Sequence, residues 1–269
     1  MQAEGRFSHT AKLYESNFGK APEAFDAVDV VRSDGEFIGR MIVAKYFPPK
    51  AKNEIQTLVK NIVAAFGKRI DGLTWMSPET KAKAKAKLTT LYVGVGYPDH
   101  WQSYAGHEIS HSFDDTGSQF DAEGRLLNWW TSQDYGHFKA SSDKLAAQYD
   151  TYEPLPGLHL NGKQTLGENI ADVAGLSAAY DAYRAAYGGK EAPSANGLSG
   201  DQRFFVAFGQ SWRGKMRPET LRIIVMTDGH SPDQYRADTV RNIDAWYEAF
   251  NVKPGNKLYL APNARVKIW

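Results

Sequence analysis

Residues 106–111 read Gly-His-Glu-Ile-Ser-His, and this stretch decides both the fold class and the chemistry of the chain. In a helix, residues four apart lie on the same face, so the imidazoles of His107 and His111 would face one point. Zinc binds histidine nitrogen at about 2.0–2.1 Å, which two such rings can supply. Glu108 lies beside that point and can accept a proton from water that a metal has made acidic. The stretch therefore predicts a helix with a catalytic zinc site; the plainer alternative is a helix with two histidines on a polar face.

The composition limits the other classes of protein and site. The chain has 269 residues, a net charge of +1 and no cysteine, which excludes disulfide frameworks, thiol nucleophiles and cysteine-ligated metals. A charge near zero gives no long-range field for nucleic acid or an anionic membrane, and no apolar run approaches the ~20 residues that span a bilayer. Residues 1–6 contain no apolar run, so we expect no signal peptide there. Histidines and carboxylates must therefore hold any metal.

A catalytic zinc site needs a third protein ligand. Glu168 and Asp172 stand four residues apart on the segment with the strongest helical pattern. One carboxylate can bind zinc while the other accepts a hydrogen bond from a ligand histidine. Thr165 and Glu168 also fit a capping box, in which Glu168 would only accept a backbone N–H, and the pattern leaves both interpretations open. The other candidate ligands are His9, His100, His137, His159 and His230.

Helical periodicity dominates the remainder of the chain. Helices are predicted over 50–70, from Ser77-Pro78 onward, over 102–115, 165–183, 201–212 and 218–226, and from Ser231-Pro232 onward. Residues 37–47 alternate as a strand would, so the predicted fold class is mainly α with a minor β part. The lysines at alternate positions from 81 to 87 have no aromatic side chains between them, which favours a solvated helix face over a nucleic-acid surface.

Several further segments carry a family resemblance. They are Tyr46–Pro49, Thr74–Lys81, Gly96–Asp99, His107–Asp115, Trp129–Thr131, Thr165–Gly175, Phe204-Phe205, Asp228–Pro232 and Val266–Trp269. In these segments the chain resembles the neprilysin-like (M13) zinc metalloendopeptidases, and in particular the bacterial oligopeptidase O group. The resemblance extends from about residue 37 to the end. It implies a zincin catalytic core of the thermolysin-like, gluzincin type.

The resemblance assigns the metal site and the general base. One zinc ion per chain would be bound by His107, His111 and Glu168. Glu108 would be the general base, and Asp172 would orient the imidazole of a ligand histidine.

The resemblance also assigns the substrate-facing residues. His230 would donate a hydrogen bond to the oxyanion of the transition state, and Asp228 would pair with it. Arg236 would hold a substrate carbonyl, and Trp212 and Ser211 would form part of the pocket for the residue after the cut. The implied substrates are peptides, cut before large apolar residues.

The sequence departs from the family just before the zinc motif. Residues 101–105 resemble a family segment far upstream of the zinc helix, yet Gly106 follows at once. The stretch that normally lies between them carries an edge strand that pairs with the substrate. Because such pairing gives a peptide its affinity and register, its loss is expected to weaken substrate binding and so to impair activity.

These observations predict one metallopeptidase catalytic unit over residues 1–269. Its N-terminal part would be helical over 1–101, and its zinc-binding part would cover 102–269. The implied function is a zinc-dependent endopeptidase. The alternative is a non-catalytic, zinc-stabilised remnant that acts as a binding or scaffold module.

Overall fold

Helices make up most of the protein in its computed structural model, which describes residues 49–91 and 101–269. In chain order they are α1 Pro49–Gly72, α2 Pro78–Thr90, α3 Trp101–Ser110, α4 Ser132–Asp150, α5 Leu166–Ala186, α6 Gly200–Ser211, α7 Pro218–Thr227, α8 Asp233–Ala237 and α9 Asp244–Phe250. Short 3-10 turns cover His111–Phe113, Gly117–Gln119, Asp238–Asn242 and Pro262–Ala264. The predicted mainly α fold class is confirmed.

The β content of the described residues is confined to isolated bridges. These antiparallel bridges join Phe120 to Leu126, Leu155 to Leu158 and Ala195 to Leu198. The strand predicted over 37–47 lies outside the described residues. Within 49–91 and 101–269, the β part is therefore limited to turns that fold back on themselves.

Two helix ends show how local chemistry sets the boundaries. Ser77 caps α2 as predicted, because its hydroxyl accepts a hydrogen bond from the backbone N–H of Thr80 and Pro78 takes the first helical position. The helix predicted over 102–115 is too long at its C-terminal end. It stops at Ser110 and continues as a 3-10 turn, because Asp114 accepts backbone N–H groups ahead of it and turns the chain.

One lysine of the alternating run departs from the predicted solvated face. Lys83 and Lys85 lie on the exposed side of α2, as predicted. Lys87 is buried instead, and its ammonium donates to the carbonyl oxygens of Gly117 at 2.7 Å and Phe120 at 2.6 Å. The two carbonyls come from another segment of the chain, so no periodicity within α2 could indicate them.

Helix α5 is buried along most of its length. Every residue from Asn169 to Ala179 is buried. Apolar residues on this helix enter a core with side chains from α1, α2 and α4 and with the C-terminal Trp269. On another face, Leu176 joins a smaller cluster that includes Phe205 and Ile243. A helix buried on several faces holds its polar side chains, including Asp172, in fixed positions.

Residues Ile55 to Trp269 form one compact unit. The predicted single unit over 1–269, with its division near residue 101, extends beyond the described residues and stays a prediction. Among the described residues, no helix is both long and apolar enough to cross a membrane.

Candidate metal centre

Two glycines let the zinc-motif helix α3 approach α5 closely. A Cβ atom at Gly175 would lie 2.4 Å from His107 N, and one at Gly106 would lie 2.5 Å from the carbonyl oxygen of Gly175. No side chain fits at such distances, so both positions require glycine. The close approach places His107 against the turn of α5 that carries Glu168 and Asp172.

His107 is buried between two carboxylates of α5. Its Nδ1 lies 2.8 Å from Asp172 Oδ1 and its Nε2 lies 3.1 Å from Glu168 Oε2. Burial alone would lower the pKa of His107, but the hydrogen bonds to Asp172 and Glu168 outweigh it and raise the pKa to about 9. The surroundings of this ring therefore favour positive charge.

His111 begins the 3-10 turn that follows α3, and its partner is local. Its Nδ1 lies 2.7 Å from Asp114 Oδ2, and this hydrogen bond raises the pKa of His111. The other oxygen of Asp114 accepts the backbone N–H groups of Thr116 at 2.8 Å and Gly117 at 2.6 Å. Sequence reasoning missed Asp114, although its position three residues after His111 was an available signal.

Glu168 faces the histidines and takes no part in a capping box. Thr165 precedes α5 without a capping hydrogen bond from its side chain, and its hydroxyl accepts from the amide of Asn169 instead. Glu168 Oε1 lies 3.6 Å from His111 Nε2. Burial opposes ionisation of Glu168, but its hydrogen bond with His107 lowers the pKa of the carboxyl. The geometry therefore disfavours the capping alternative.

A second carboxylate lies near the same pair of rings. The donor atoms of His107, Glu108 and His111 all lie within 4.8 Å of one another, and Glu108 is exposed. Glu168 lies 3.1 Å from His107 Nε2 and 3.6 Å from His111 Nε2, and its side chain is only 20% exposed. The arrangement thus offers one inward carboxylate suited to bind a metal and one solvent-facing carboxylate suited to exchange protons.

The donor set fits a zinc ion. When each Nδ1–H donates to its carboxylate, both Nε2 atoms present lone pairs, and these atoms lie only 3.1 Å apart. Without a metal, a proton on His107 Nε2 satisfies Glu168, as the raised pKa of His107 indicates; a bound cation would take the place of that proton. Two histidine nitrogens and one carboxylate oxygen, each histidine held by a further carboxylate, are a ligand set typical of catalytic zinc. These residues would hold the ion.

Arg236 is buried against this centre. Its Nε and Nη2 donate to the two oxygens of Asp172 at 2.9 and 2.8 Å. Its guanidinium carbon lies 4.1 Å from the ring centre of Trp212, the residue that follows α6. Burial opposes ionisation of Asp172, yet the bonds to His107 and Arg236 lower the pKa of that carboxyl. Ser211, by contrast, donates its hydroxyl to the carbonyl of Phe208 within α6.

His230 lies on the exposed side of the centre. Its Nε2 is 3.2 Å from Glu168 Oε2, and its Nδ1 is 2.7 Å from Asp228 Oδ1. Hydrogen bonds from the backbone and the ring of His230 lower the pKa of Asp228. The structure therefore brings His230 to Glu168, which also faces the histidine pair, and Asp228 holds the opposite side of the His230 ring.

The other histidines that sequence reasoning considered lie elsewhere or outside the description. His137 stacks on Trp75 with ring centres 5.2 Å apart, and the group that could hold a metal does not include His159. His9 and His100 lie outside the described residues. Among the described residues, the potential metal ligands gather only around His107 and His111.

Comparison with known proteins gives the same picture. A model described as peptidase family M13 matches residues 101–266, and a second model with the same description matches residues 1–98. Human neprilysin is 28% identical over 86% of this chain and 44% of its own length. The neutral endopeptidase of Lactobacillus helveticus is 26% identical over 87% of this chain and 48% of its own length.

Solved structures resemble the fold. The zinc metalloprotease ZMP1 of Mycobacterium tuberculosis in an open state has a TM-score of 0.82 at 30% identity, over 95% of this chain and 54% of that one. PepO from Lactobacillus rhamnosis has a TM-score of 0.78 at 28% identity, over 89% and 50%. The zincin-like architecture is thereby confirmed.

The chain spans about half the length of these relatives, and the alignments also contain an internal gap. The match to neprilysin extends over 330 residues but covers 86% of a 269-residue chain, so roughly 100 residues of the relative have no counterpart here. The match to neprilysin-3 of Drosophila melanogaster, at 39% identity, extends over 170 residues and 61% of the chain. Nearly every residue of that match therefore has a counterpart in this chain. Despite the gap, the matched residues cover most of the sequence, and the chain belongs to peptidase family M13.

Proposed function

We propose that this chain is a zinc-dependent endopeptidase that hydrolyses peptides at the centre formed by α3, α5 and the loop after α7. One observation carries the proposal. The two Nε2 atoms of His107 and His111 converge with the Glu168 carboxylate, while a carboxylate fixes each Nδ1. Relatives that bear the names neutral endopeptidase and zinc metalloprotease support the reaction class.

The chain's own residues divide the chemistry between them. Zinc, when bound by His107, His111 and Glu168, supplies a Lewis acid for the scissile carbonyl and makes water more acidic. Glu108 is exposed beside the histidines, so it accepts the proton of the attacking water and delivers it to the leaving amine. No covalent intermediate with the protein is required.

His230 is placed to stabilise the negative charge that develops on the carbonyl oxygen. Its Nδ1 lies against Asp228, so its Nε2 is on the side of Glu168, where an N–H would donate to the oxyanion. A donor that is already oriented needs no reorganisation during the reaction.

Arg236 and Trp212 form the proposed substrate contact. Asp172 occupies Nε and Nη2 of the arginine, and among the described residues Nη1 makes no hydrogen bond, so this group is available to a substrate carbonyl. The ring of Trp212 covers the guanidinium. The proposed preference for cleavage before large apolar residues assigns the adjoining pocket to Trp212 and Ser211, although the Ser211 hydroxyl already bonds within α6.

The test uses a quenched fluorescent peptide library and the zinc-loaded protein. We expect one zinc per chain and measurable cleavage, with a high KM because the sequence lacks the stretch that, by the family resemblance, would pair with substrate. Glu108→Gln should retain zinc and lose at least 10²-fold in turnover, because an amide cannot accept the proton. Cleavage by Glu108→Gln at the wild-type rate would refute the proposed base.

A non-catalytic module is the second candidate, and the roughly 100 residues that lack a counterpart favour it. Such a module would bind zinc and gain stability from it, but it would not hydrolyse any peptide of the library. Zinc binding without cleavage in wild type and Glu108→Gln alike would select this candidate.

A further inference from the structure

The loop that carries His230 contains two exposed residues, Gly229 and His230, between anchored neighbours. The His230 side chain is 52% exposed, whereas Ser231 and Pro232 directly after it are buried. An exposed imidazole on a free loop would sample many orientations, and fixing it would cost entropy at each turnover. The structure holds this loop by two side-chain hydrogen bonds to one end of α5.

The first hydrogen bond fixes the loop after His230. Ser231 Oγ donates to Asn169 Oδ1 at 2.9 Å, and both side chains are almost fully buried. The amide of Asn169 donates in turn to Thr165 Oγ1 at 2.9 Å. Because the amide nitrogen is occupied by Thr165, the carbonyl oxygen of Asn169 must face Ser231, so the direction of this contact is determined.

The second hydrogen bond fixes the loop before His230. Gln164 Nε2 donates to the backbone carbonyl of Asp228 at 2.7 Å. Asp228 itself accepts both the backbone N–H and the ring of His230 at Oδ1. Gln164 and Asn169 lie on either side of the first turn of α5, which also carries Glu168.

We propose that Asn169 and Gln164 are positioning residues for His230. They hold the loop at both ends of the histidine, so that the helix supplying the zinc ligand Glu168 also sets the distance between Glu168 and His230. This inference rests on the proposed function, because His230 must act on the substrate for its position to affect turnover.

The kinetic test combines three variants on the zinc-loaded protein. Ser231→Ala should retain zinc and KM and lower kcat by about 10-fold or more, since a misplaced group can lose up to ~10²-fold. Gln164→Ala, at an exposed position, should lower kcat in the same way by a smaller factor. In a His230→Phe background, both substitutions should lower kcat no further, because they act through the missing imidazole.

Ser142→Ala is the matched control. Ser142 is buried on α4, so its loss reports what removal of a buried hydroxyl does by itself, and kcat should not change. If Ser231→Ala lowers kcat by the same factor with and without His230, the contact is merely structural and the inference is wrong. If His230→Phe leaves kcat unchanged, the proposed oxyanion role fails first, independently of the anchors.

A spectroscopic readout makes the test independent of turnover. With ¹⁵N-labelled histidine, the ring signals of His230 should shift or broaden in Ser231→Ala and in Gln164→Ala. Those of His137, which stacks on Trp75 elsewhere, should stay unchanged. Unchanged His230 signals in both variants would overturn the inference even in a protein without peptidase activity.

Discussion

His107 and His111 belong to one motif, yet the structure holds the two rings in different ways. His107 has a side chain only 6% exposed, and its carboxylate partner Asp172 comes from another helix 65 residues away. His111 is 30% exposed, and its partner Asp114 comes from the turn that follows it three residues later. One half of the metal centre therefore depends on tertiary packing, and the other depends on a local turn.

The difference concerns what each carboxylate does besides binding its histidine. Asp172 also accepts two hydrogen bonds from the buried Arg236, so it neutralises charge inside the protein. Asp114 accepts backbone N–H groups of its own turn, which water could replace at lower cost. Substitutions on the side of His107 should therefore have the larger effect on both stability and zinc affinity.

Asp172→Asn should give the largest effect. The asparagine side chain would direct an N–H at either Arg236 or His107, and Arg236 would lose its buried counter-charge. Removing one partner of a buried ion pair typically lowers the free energy of unfolding by about 3–5 kcal/mol. Losing the carboxylate behind a ligand histidine weakens zinc binding about 10–100-fold. Urea unfolding and competition with a chromogenic chelator measure the two quantities.

Asp134→Asn is the control for that experiment. Asp134 is buried and accepts hydrogen bonds from the backbone and hydroxyl of Ser77, so its loss should lower stability without changing zinc affinity. Equal zinc affinity in Asp172→Asn and Asp134→Asn would show that Asp172 does not orient the ligand.

The sequence predicted the histidine pair more fully than the carboxylates that contact it. The four-residue spacing of His107 and His111 was informative because helix geometry converts spacing into proximity. The same spacing selected Glu168 and Asp172, but only the packing of α3 on α5 shows which carboxylate faces which ring. That packing depends on Gly106 and Gly175, and no periodic pattern marks them.

The predictions that missed Asp114 and misplaced Lys87 failed for the same physical reason. Asp114 acts through a turn, and Lys87 acts through carbonyl groups 30 and 33 residues away, whereas periodicity indicates only which face of an element is apolar. The zinc helix is also shorter than predicted, because the turn that Asp114 builds begins inside the predicted span. Polar contacts between elements were thus the part that sequence patterns could not supply.

Asp114→Asn should have an intermediate effect on zinc affinity. Its oxygen can still accept from Thr116 and Gly117, but its amide would then face His111 Nδ1 and favour the tautomer with the proton on Nε2. We expect zinc affinity to fall about 10-fold, with little loss of stability. Histidine ring NMR reports the tautomer directly.

Asp121→Asn serves as the control for Asp114→Asn. Asp121 accepts backbone N–H groups of Glu123 and Arg125 in a turn without a histidine partner. If Asp114→Asn binds zinc as tightly as this control does, the local carboxylate has no part in the metal centre.

Lys87→Met should have the smallest effect on zinc affinity, because Lys87 reaches the centre only through the turn. Its ammonium holds the carbonyl of Gly117, and the N–H of Gly117 holds Asp114. The loss of such an indirect contact should change zinc affinity less than about threefold. The substitution should nevertheless change how the free energy of unfolding depends on pH.

Burial lowers the pKa of Lys87 to about 8, against the opposing attraction of Asp114 and Asp121. The unfolded chain, with an ordinary lysine pKa near 10.5, binds more protons between these two values than the folded protein does. The free energy of unfolding should therefore rise between pH 8 and 10.5, by on the order of 3 kcal/mol at most.

This rise should be absent in Lys87→Met and present in Lys85→Met, a control that removes an exposed lysine paired with Asp71. Zinc affinity should not follow the same titration, because a neutral amine retains two N–H donors for the two carbonyls. Urea unfolding across this pH range, with zinc present, measures the difference between the two variants. An identical slope in both would mean that Lys87 keeps its proton throughout, and that the buried ammonium is a permanent charge of the turn behind His111.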